Sequence, residues 1–247
     1  MVPDGLGHQP VGHGSVVKGP VTNVKVITAD GRVDRARVRD AADRVVDVIV
    51  KGGLALVPFG VAYAFLTGSR APLGRIYELK LRPPKKACPI LVSWDDFVAA
   101  ADAAPTEIDR MRRVVDAQLP VGVLVKPKWD SAMVRSIPED CLELLTTNGK
   151  LGLFMNMGGM SGELLAAGAR ASVRLFGSSA NISGMGNSFS LKDVPESIVS
   201  AMDILCDAGT CTFANPDRLP SSIVDLETGQ LTRRGILHEE IGRLLDG

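Results

Sequence analysis

Three polar stretches of this chain hold the residue types best suited to chemistry. The first runs from Arg75 to Val92, RIYELKLRPPKKACPILV, and puts Lys80, Arg82, Lys85 and Lys86 at a helix end and the loop behind it, with Arg75 farther back. Cations on a proline-stiffened turn make an anion clamp, because arginine offers phosphate or carboxylate a planar fork and lysine a mobile point charge. The second is Ser178-Ser179-Ala180-Asn181-Ile182-Ser183-Gly184, a run of small hydroxyls and an amide behind a strand. Such groups suit the oxygens of phosphate or ribose. The third is Pro220-Ser221-Ser222-Ile223-Val224-Asp225-Leu226, followed past a hairpin-like turn by Arg233-Arg234-Gly235. Taken singly, each also has a plainer reading. The first is then a solvated basic turn, the second a Ser/Asn turn or helix cap, and the third a strand with a polar entry and a charged exit.

These stretches need elements to hold them. Leu73, Ile76, Tyr77 and Leu79 have helical spacing and predict a helix over Leu73 to Leu81, which Pro83 and Pro84 stop. A core strand, Pro89 to Val92, follows. Upstream, Val21 to Ala29 reads as a strand closed by Asp30-Gly31. Asp40 to Lys51 reads as an amphipathic helix ended by Gly52-Gly53. Leu54 to Pro58 is a short strand, then a loop around Gly60 and a small-residue segment lead to Gly68.

Downstream, helices are expected over Asp95 to Ala103, Glu107 to Gln118, Gly162 to Ala169, Val194 to Met202 and His238 to Leu245. Strands are expected over Val121 to Val125, Leu151 to Met155, Val173 to Phe176, Ile204 to Cys206 and Ser222 to Leu226. This interleaving predicts an α/β fold with a mixed twisted sheet and helices on both faces. With no linker after about residue 20, the expected division is a flexible leader over 1–20 and one domain over 21–247.

Composition narrows the function classes. The 28 basic residues balance 28 acidic ones, so any anion site is local and nothing draws the whole chain to nucleic acid or an anionic membrane. No run of 18 apolar residues is present, and the N-terminal MVPDGLGHQPVGHG lacks a signal-peptide core. A cytoplasmic protein without a membrane segment is the expectation. Cys88, Cys141, Cys206 and Cys211 are scattered, and the histidines are His8, His13 and His238, a poor set for zinc. No metal site is predicted, and no histidine stands beside a nucleophile as a Ser-His-Asp or Cys-His hydrolase requires. The glycine fingerprints of the Rossmann and P-loop folds are absent.

In their order and spacing the three stretches resemble the YrdC-like family, the threonylcarbamoyl-AMP synthases. That family's Lys-x-Arg-Pro-x-x-Lys-Pro stretch is matched closely by KLRPPKKACP, its Ser-Ala-Asn-x-Ser-Gly by SANISG from Ser179, and its Pro-Ser-Thr-Val-Val-Asp strand by PSSIVDL from Pro220. DAGTC from Asp207 and Arg233-Arg234-Gly235 resemble two further segments, so the likeness runs from about Val21 to Ile236. The resemblance implies a twisted sheet with a positively charged cavity and a short, single-domain form. It also implies condensation of bicarbonate, threonine and ATP to threonylcarbamoyl-AMP and pyrophosphate, the first step of a tRNA adenosine modification. By matching position, Lys80, Arg82 and Lys86 would hold phosphate and carboxylate. Ser179 and Asn181 would bind nucleotide, and Ser221 and Arg233 would complete the pocket. Mg²⁺ would enter with ATP, held largely by phosphates and water.

Two segments depart from that pattern. Where the family reads Pro-Thr-Asp-Thr-Val-Tyr-Gly, this chain has Pro58-Phe59-Gly60-Val61-Ala62-Tyr63-Ala64, so Phe59 and Val61 replace both threonines and the wall of the amino-acid pocket, Phe59 and Tyr63 included, is apolar. At LGLFMN, Phe154 stands where a cavity arginine is expected, and Arg174 is a candidate to replace that charge. One expectation is therefore a divergent enzyme that makes a carbamoyl or acyl adenylate from another amine or from a preformed carbamoyl donor. The alternatives are a nucleotide-binding module without catalysis and a double-stranded RNA binder using Lys80 to Lys86 with Lys126 and Lys128. An exposed clamp would make Lys80→Ala or Arg82→Ala costly to turnover and cheap in stability.

Overall fold

The computed structural model describes residues 21–26, 34–83 and 86–247. The expected leader over 1–20, the Asp30-Gly31 turn and Lys85 lie outside the described residues.

The chain forms β1 (Thr22–Lys25), α1 (Arg35–Val50), β2 (Ala55–Pro58), β3 (Tyr63–Thr67), α2 (Arg70–Lys80) and β4 (Ile90–Leu91). Next come α3 (Trp94–Ala100), α4 (Pro105–Asp116), β5 (Val121–Val125), α5 (Ala132–Arg135), α6 (Leu142–Leu145), β6 (Thr146–Thr147) and β7 (Lys150–Met155). The last elements are α7 (Ser161–Arg170), β8 (Leu175–Ser179), α8 (Glu196–Val199), β9 (Ile204–Asp207), β10 (Ser222–Asp225), β11 (Gln230–Arg233) and α9 (His238–Asp246).

Local chemistry sets the ends of the long helices. Asp34 Oδ1 accepts from the amides of Ala36 and Arg37 at 2.9 and 3.3 Å, so α1 starts on donors that a helix would otherwise leave free. Gly52, at φ 80°, lets the chain leave that helix in a conformation most side chains resist. The α2 helix ends on Leu81 at φ 50°, with the Arg82 amide returning to Tyr77 O at 2.9 Å. That reversal turns Lys80 into the protein and starts Arg82 back along the sheet.

Among the described residues the strands form one mixed sheet in the order β1-β9-β2-β3-β8-β4-β7-β5-β10-β11, with β6 on β7. Apolar side chains of α2, α3, α4 and α9, such as Leu73, Phe97, Met111 and Ile241, bury one face. On the other, α1 and α7 pack through Val45, Ile49 and Leu164 against Val57, Ala64 and Leu66. Those two helices cover the β9-β2-β3 half of their face. Beyond it, Leu91, Phe154, Gly152, Leu124 and Ile223 from β4, β7, β5 and β10 line an open cavity instead. The predicted α/β fold with a mixed twisted sheet and helices on both faces is the one observed.

Three differences from the sequence reading bear on that cavity. The small-residue segment between the Gly60 loop and Gly68, to which the sequence reading assigns no strand, contains β3, whose five residues are all buried. Burial on both faces removes the alternation that marks a strand. Gly177 and Ser178 belong to β8 and not to a turn, because β8 pairs Ser178 with Phe65 and Gly177 with Leu66. The helix expected over Val194 to Met202 shrinks to α8, since the Asp203 amide is committed to Leu54 O at 2.9 Å as the chain enters β9.

Gly177 sits against β3 so closely that a Cβ there would lie 1.8 Å from Phe65 O. Backbone cannot yield as a side chain can, so Gly177→Ala should destabilise the protein by about 2–3 kcal/mol. Denaturant unfolding checks this: a lower midpoint at unchanged slope is expected.

Candidate anion-binding cavity

Alternation along β7 places Lys150, Gly152 and Phe154 on the open face, and the same period places Gly122 and Leu124 of β5 beside them. The cavity holds about 440 Å³. Its polar end joins all three sequence stretches: Lys80, Arg82 and Lys86 from the end of α2 and its loop, Ser178, Ser179 and Asn181 from the end of β8 and just past it, and Ser221 and Arg233 from just before β10 and the end of β11. Phe59, Val61, Leu91, Phe154 and Met157 form the other end.

Lys80 is the centre of the polar end. Its side chain is only 2% exposed. Nζ donates to Ser179 O, to Asn181 O at 2.8 Å and to Asn181 Oδ1 at 3.1 Å. It also stands 5.8 Å from the centre of the Phe65 ring. Three acceptors match the three donors of an ammonium. Burial, followed by the charges of Arg82 and Lys86, pushes this amine down to about 7. The expectation of an exposed clamp is therefore corrected at Lys80, whose helix end is pulled under the Ser179–Asn181 turn.

Arg82 donates through Nε to Lys86 O at 2.8 Å and through a terminal nitrogen to Ser178 Oγ at 3.2 Å. Arg233 donates to Ser221 O at 2.9 Å and to Ser221 Oγ at 3.1 Å. Burial and then Arg82 lower the Arg233 guanidinium to about 10, while Lys86 is lowered by burial, Arg82 and Arg233. Among the described residues none of these four cations is paired with a carboxylate, and no Asp or Glu lines the cavity. Like charges gathered without counter-ions raise one another's free energy, and a bound anion relieves that cost.

Ser179 Oγ donates to Asn181 Oδ1 at 2.6 Å and Asn181 Nδ2 to Ile182 O at 2.8 Å, so the two nucleotide candidates brace each other at the cavity edge. Phe59 and Phe154 line the cavity as expected. The Phe154 ring lies over Gly122, where a Cβ would come within 2.5 Å of it. Tyr63 does not line the cavity. It is fully buried in the opposite core, where its hydroxyl donates to Gly209 O at 2.9 Å and accepts from the Ala208 amide at 3.1 Å. Strand parity explains the correction, since residue 63 points away from the face that Ala64 and Leu66 share.

Other cations have structural partners. Arg75 donates to Ala201 O at 2.6 Å and pairs with Asp203 at 3.5 Å, so it stands apart from the clamp. Arg174 pairs with Asp96 at 2.8 Å and does not replace a charge at Phe154. Lys126 pairs with Glu227 at 2.6 Å. Lys150, which sequence reading missed as a lining residue, is held by Asp225 at 2.7 Å and Glu227 at 3.0 Å. The alternation Lys150-x-Gly152-x-Phe154 was the available signal for it. Among the described residues no group of three metal-binding side chains occurs, and no helix is long and apolar enough to cross a membrane.

Two outcomes follow for Lys80. Lys80→Met leaves buried carbonyl oxygens without a donor and should cost about 2 kcal/mol or more, whereas Arg82→Ala, at a partly exposed site, should cost less than about 1 kcal/mol. Between about pH 7 and the ordinary value of 10.5 the unfolded chain holds a proton on Lys80 that the folded chain lacks. The Lys80 contribution to unfolding free energy should therefore rise with pH over that window. Urea titrations at pH 7 and pH 9.5 should show this rise in the wild type and a smaller one in Lys80→Met.

A sequence profile of the Sua5/YciO/YrdC family, described as "Telomere recombination", matches residues 47–235. No curated protein sequence matches the chain. Among solved structures, a hypothetical protein of Streptococcus mutans superposes with TM-score 0.70 at 18% identity, covering 92% of this chain and 95% of that one. YciO of E. coli gives 0.66 at 13% identity, over 88% and 96% of the two chains. Sua5 of P. abyssi complexed with L-threonine gives 0.65 at 20% identity, covering 92% of this chain, which spans only 61% of the Sua5 chain. These likenesses establish the fold. The profile reaches from within α1 to Gly235, across every segment that lines the cavity, and by that match the chain belongs to the Sua5/YciO/YrdC family.

Proposed function

We propose that the cavity binds ATP and forms an adenylate of a carboxylate or carbamate substrate, in the manner of a threonylcarbamoyl-AMP synthase. The observation that carries this reading is the cluster of Lys80, Arg82, Lys86 and Arg233 without a carboxylate partner among the described residues. Family membership supports it, as does the structural likeness to a Sua5 complexed with L-threonine.

The chemistry asks little covalent work of the protein. A carboxylate oxygen attacks the α-phosphorus, a C–O–P anhydride forms, and the P–O bond to pyrophosphate breaks. The chain's task is to align the two anions and neutralise the charge that builds on the leaving pyrophosphate. Arg82 and Arg233 supply fixed forks, already oriented by Ser178 and Ser221, and Lys86 supplies an exposed point charge. Lys80 acts through the Ser179–Asn181 turn, where the Ser179 hydroxyl oxygen would accept from a ribose hydroxyl and the second hydrogen of Asn181 Nδ2 would donate to a nucleotide oxygen. A metal ion fits only as a partner of the phosphates, because among the described residues no carboxylate lines the cavity to hold one. Mg²⁺ bound that way would offset phosphate charge.

A non-catalytic nucleotide-binding role would use the same cations and differ only in the absence of turnover. Double-stranded RNA binding has less support, since Lys126 is already neutralised by Glu227. A cytoplasmic location and a role in tRNA threonylcarbamoyl modification belong to this proposal.

The test is ATP-dependent pyrophosphate release with bicarbonate, against threonine, other amino acids and carbamoyl phosphate. Release with at least one of them is expected. Arg82→Ala should lower kcat/KM by on the order of 10- to 100-fold, the worth of a charge-assisted hydrogen bond. Tight ATP binding with no release from any substrate would favour the non-catalytic role.

A further inference from the structure

Phe59 and Val61 reach the cavity on the short loop between β2 and β3, and that loop is braced from two sides. Gly60 N donates to Met157 O at 2.7 Å, and Gly60 O accepts from the Phe213 amide at 2.9 Å. The first bond ties the loop to the segment after β7 and the second to the segment after β9. Phe213 sits so close that a Cβ on Gly60 would lie 3.4 Å from its ring. Phe59, Val61, Met157 and Phe213 belong to one apolar cluster, which Ala208 also joins.

The segment that carries Phe213 is itself fixed by Tyr63. The Tyr63 hydroxyl donates to Gly209 O at 2.9 Å, accepts from the Ala208 amide at 3.1 Å and stands 3.2 Å from Asp207 Oδ1. Asp207 Oδ1 also accepts from the Gly209 amide at 3.0 Å, closing a turn in which Gly209 takes φ 72°. Past it, Cys211 N donates to Phe189 O at 2.7 Å, and Phe213 follows. The Tyr63 ring packs in one core, and its hydroxyl holds Ala208, whose side chain packs in the other. The backbone of the same residue serves the polar end, where Tyr63 O accepts from the Ala180 amide at 2.8 Å. A change confined to the hydroxyl therefore leaves the polar end alone.

From this connectivity we infer that Tyr63 is a positioning residue for the apolar end of the cavity. Its hydroxyl fixes the 207–209 turn, the turn delivers Phe213, and Phe213 with Met157 holds Phe59 and Val61 against the second substrate. The inference rests on the adenylate reading for what fills the cavity, and on the contacts alone for the brace. Removing the phenol oxygen takes a partner from the Gly209 carbonyl and the Ala208 amide, and the turn relaxes to satisfy them elsewhere. The wall then loosens on the side of Phe213 while Arg82, Lys86 and Arg233 keep their places.

Tyr63→Phe removes that oxygen and keeps the ring, and three readouts separate positioning from stability alone. Amide hydrogen exchange should speed up by about 10-fold over 58–62 and 207–213 and stay at the wild-type rate over 178–182. Calorimetric affinity for inorganic pyrophosphate should stay within about 2-fold of wild type, because the cations are untouched. The third readout is pyrophosphate release with ATP, bicarbonate and the amino acid that the wild type uses best among threonine, valine and leucine. There KM for the amino acid should rise by roughly 3- to 10-fold, with KM for ATP unchanged. Phe213→Ala should raise the same KM, and the double variant should be little worse than the poorer single one, as links of one brace are. A lower melting temperature with the amino-acid KM and exchange over 58–62 both unchanged would overturn the inference and leave the adenylate reading standing. No release by the wild type with any amino acid or with carbamoyl phosphate would overturn the adenylate reading instead, and exchange over 58–62 would still decide the brace.

Discussion

The buried ammonium of Lys80 is the contact on which the site depends. It sits at the last residue of α2 and holds three oxygens of the Ser179–Asn181 turn, and so ties a helix end to a strand end across about a hundred residues of sequence. Burying a lysine without a carboxylate is expensive, and the lowered affinity of this amine for its proton measures that expense. The gain is placement. With Lys80 turned inward and Leu81 in a left-handed conformation, Arg82 starts its return along β8 and reaches Ser178. One reversal of the backbone therefore sorts two neighbouring cations into different roles, Lys80 as support and Arg82 as contact.

Electrostatics and shape then divide the cavity. Its clustered cations come from two parts of the chain, the end of α2 with its loop and the end of β11, and their mutual repulsion helps to lower the proton affinity of Lys80, Lys86 and Arg233, a state that an anionic ligand relieves. The other end is apolar because β7 alternates and because the loops after β2 and β7 present Phe59, Val61 and Met157. A site with one cationic and one apolar end, and no acid between them among the described residues, favours anions with apolar bodies. The half-covered sheet makes this possible. Had α1 and α7 extended over β4, β7 and β5, the same strands would have been core.

Much of this was legible in the sequence where local rules act. The α1 helix and its glycine stop, β5 over Val121–Val125, the three polar stretches and their convergence could all be read before any coordinates. What could not be read required tertiary context. β3 is buried on both faces and so lacks alternation. Tyr63 lies on the strand face away from the cavity, although its neighbours Phe59, Val61 and Ala64 line it. Nothing in KLRPPKK distinguishes the buried lysine from the exposed one, because only the packing of α2 under β8 does so. The partners of Arg75 and Arg174 come from distant segments, and their separation from the site follows from those pairs.

The central claim is that Arg82 and Arg233, some 150 residues apart in sequence, serve one anion. Calorimetric titration of inorganic pyrophosphate into the wild type, Arg82→Ala, Arg233→Ala and the double variant tests it most directly. The account predicts a single site in the wild type, a loss of roughly 10- to 100-fold in each single variant, and a double variant weaker than either but short of the product of the two losses, as groups sharing one ligand should show. Unchanged affinity in both single variants would contradict it.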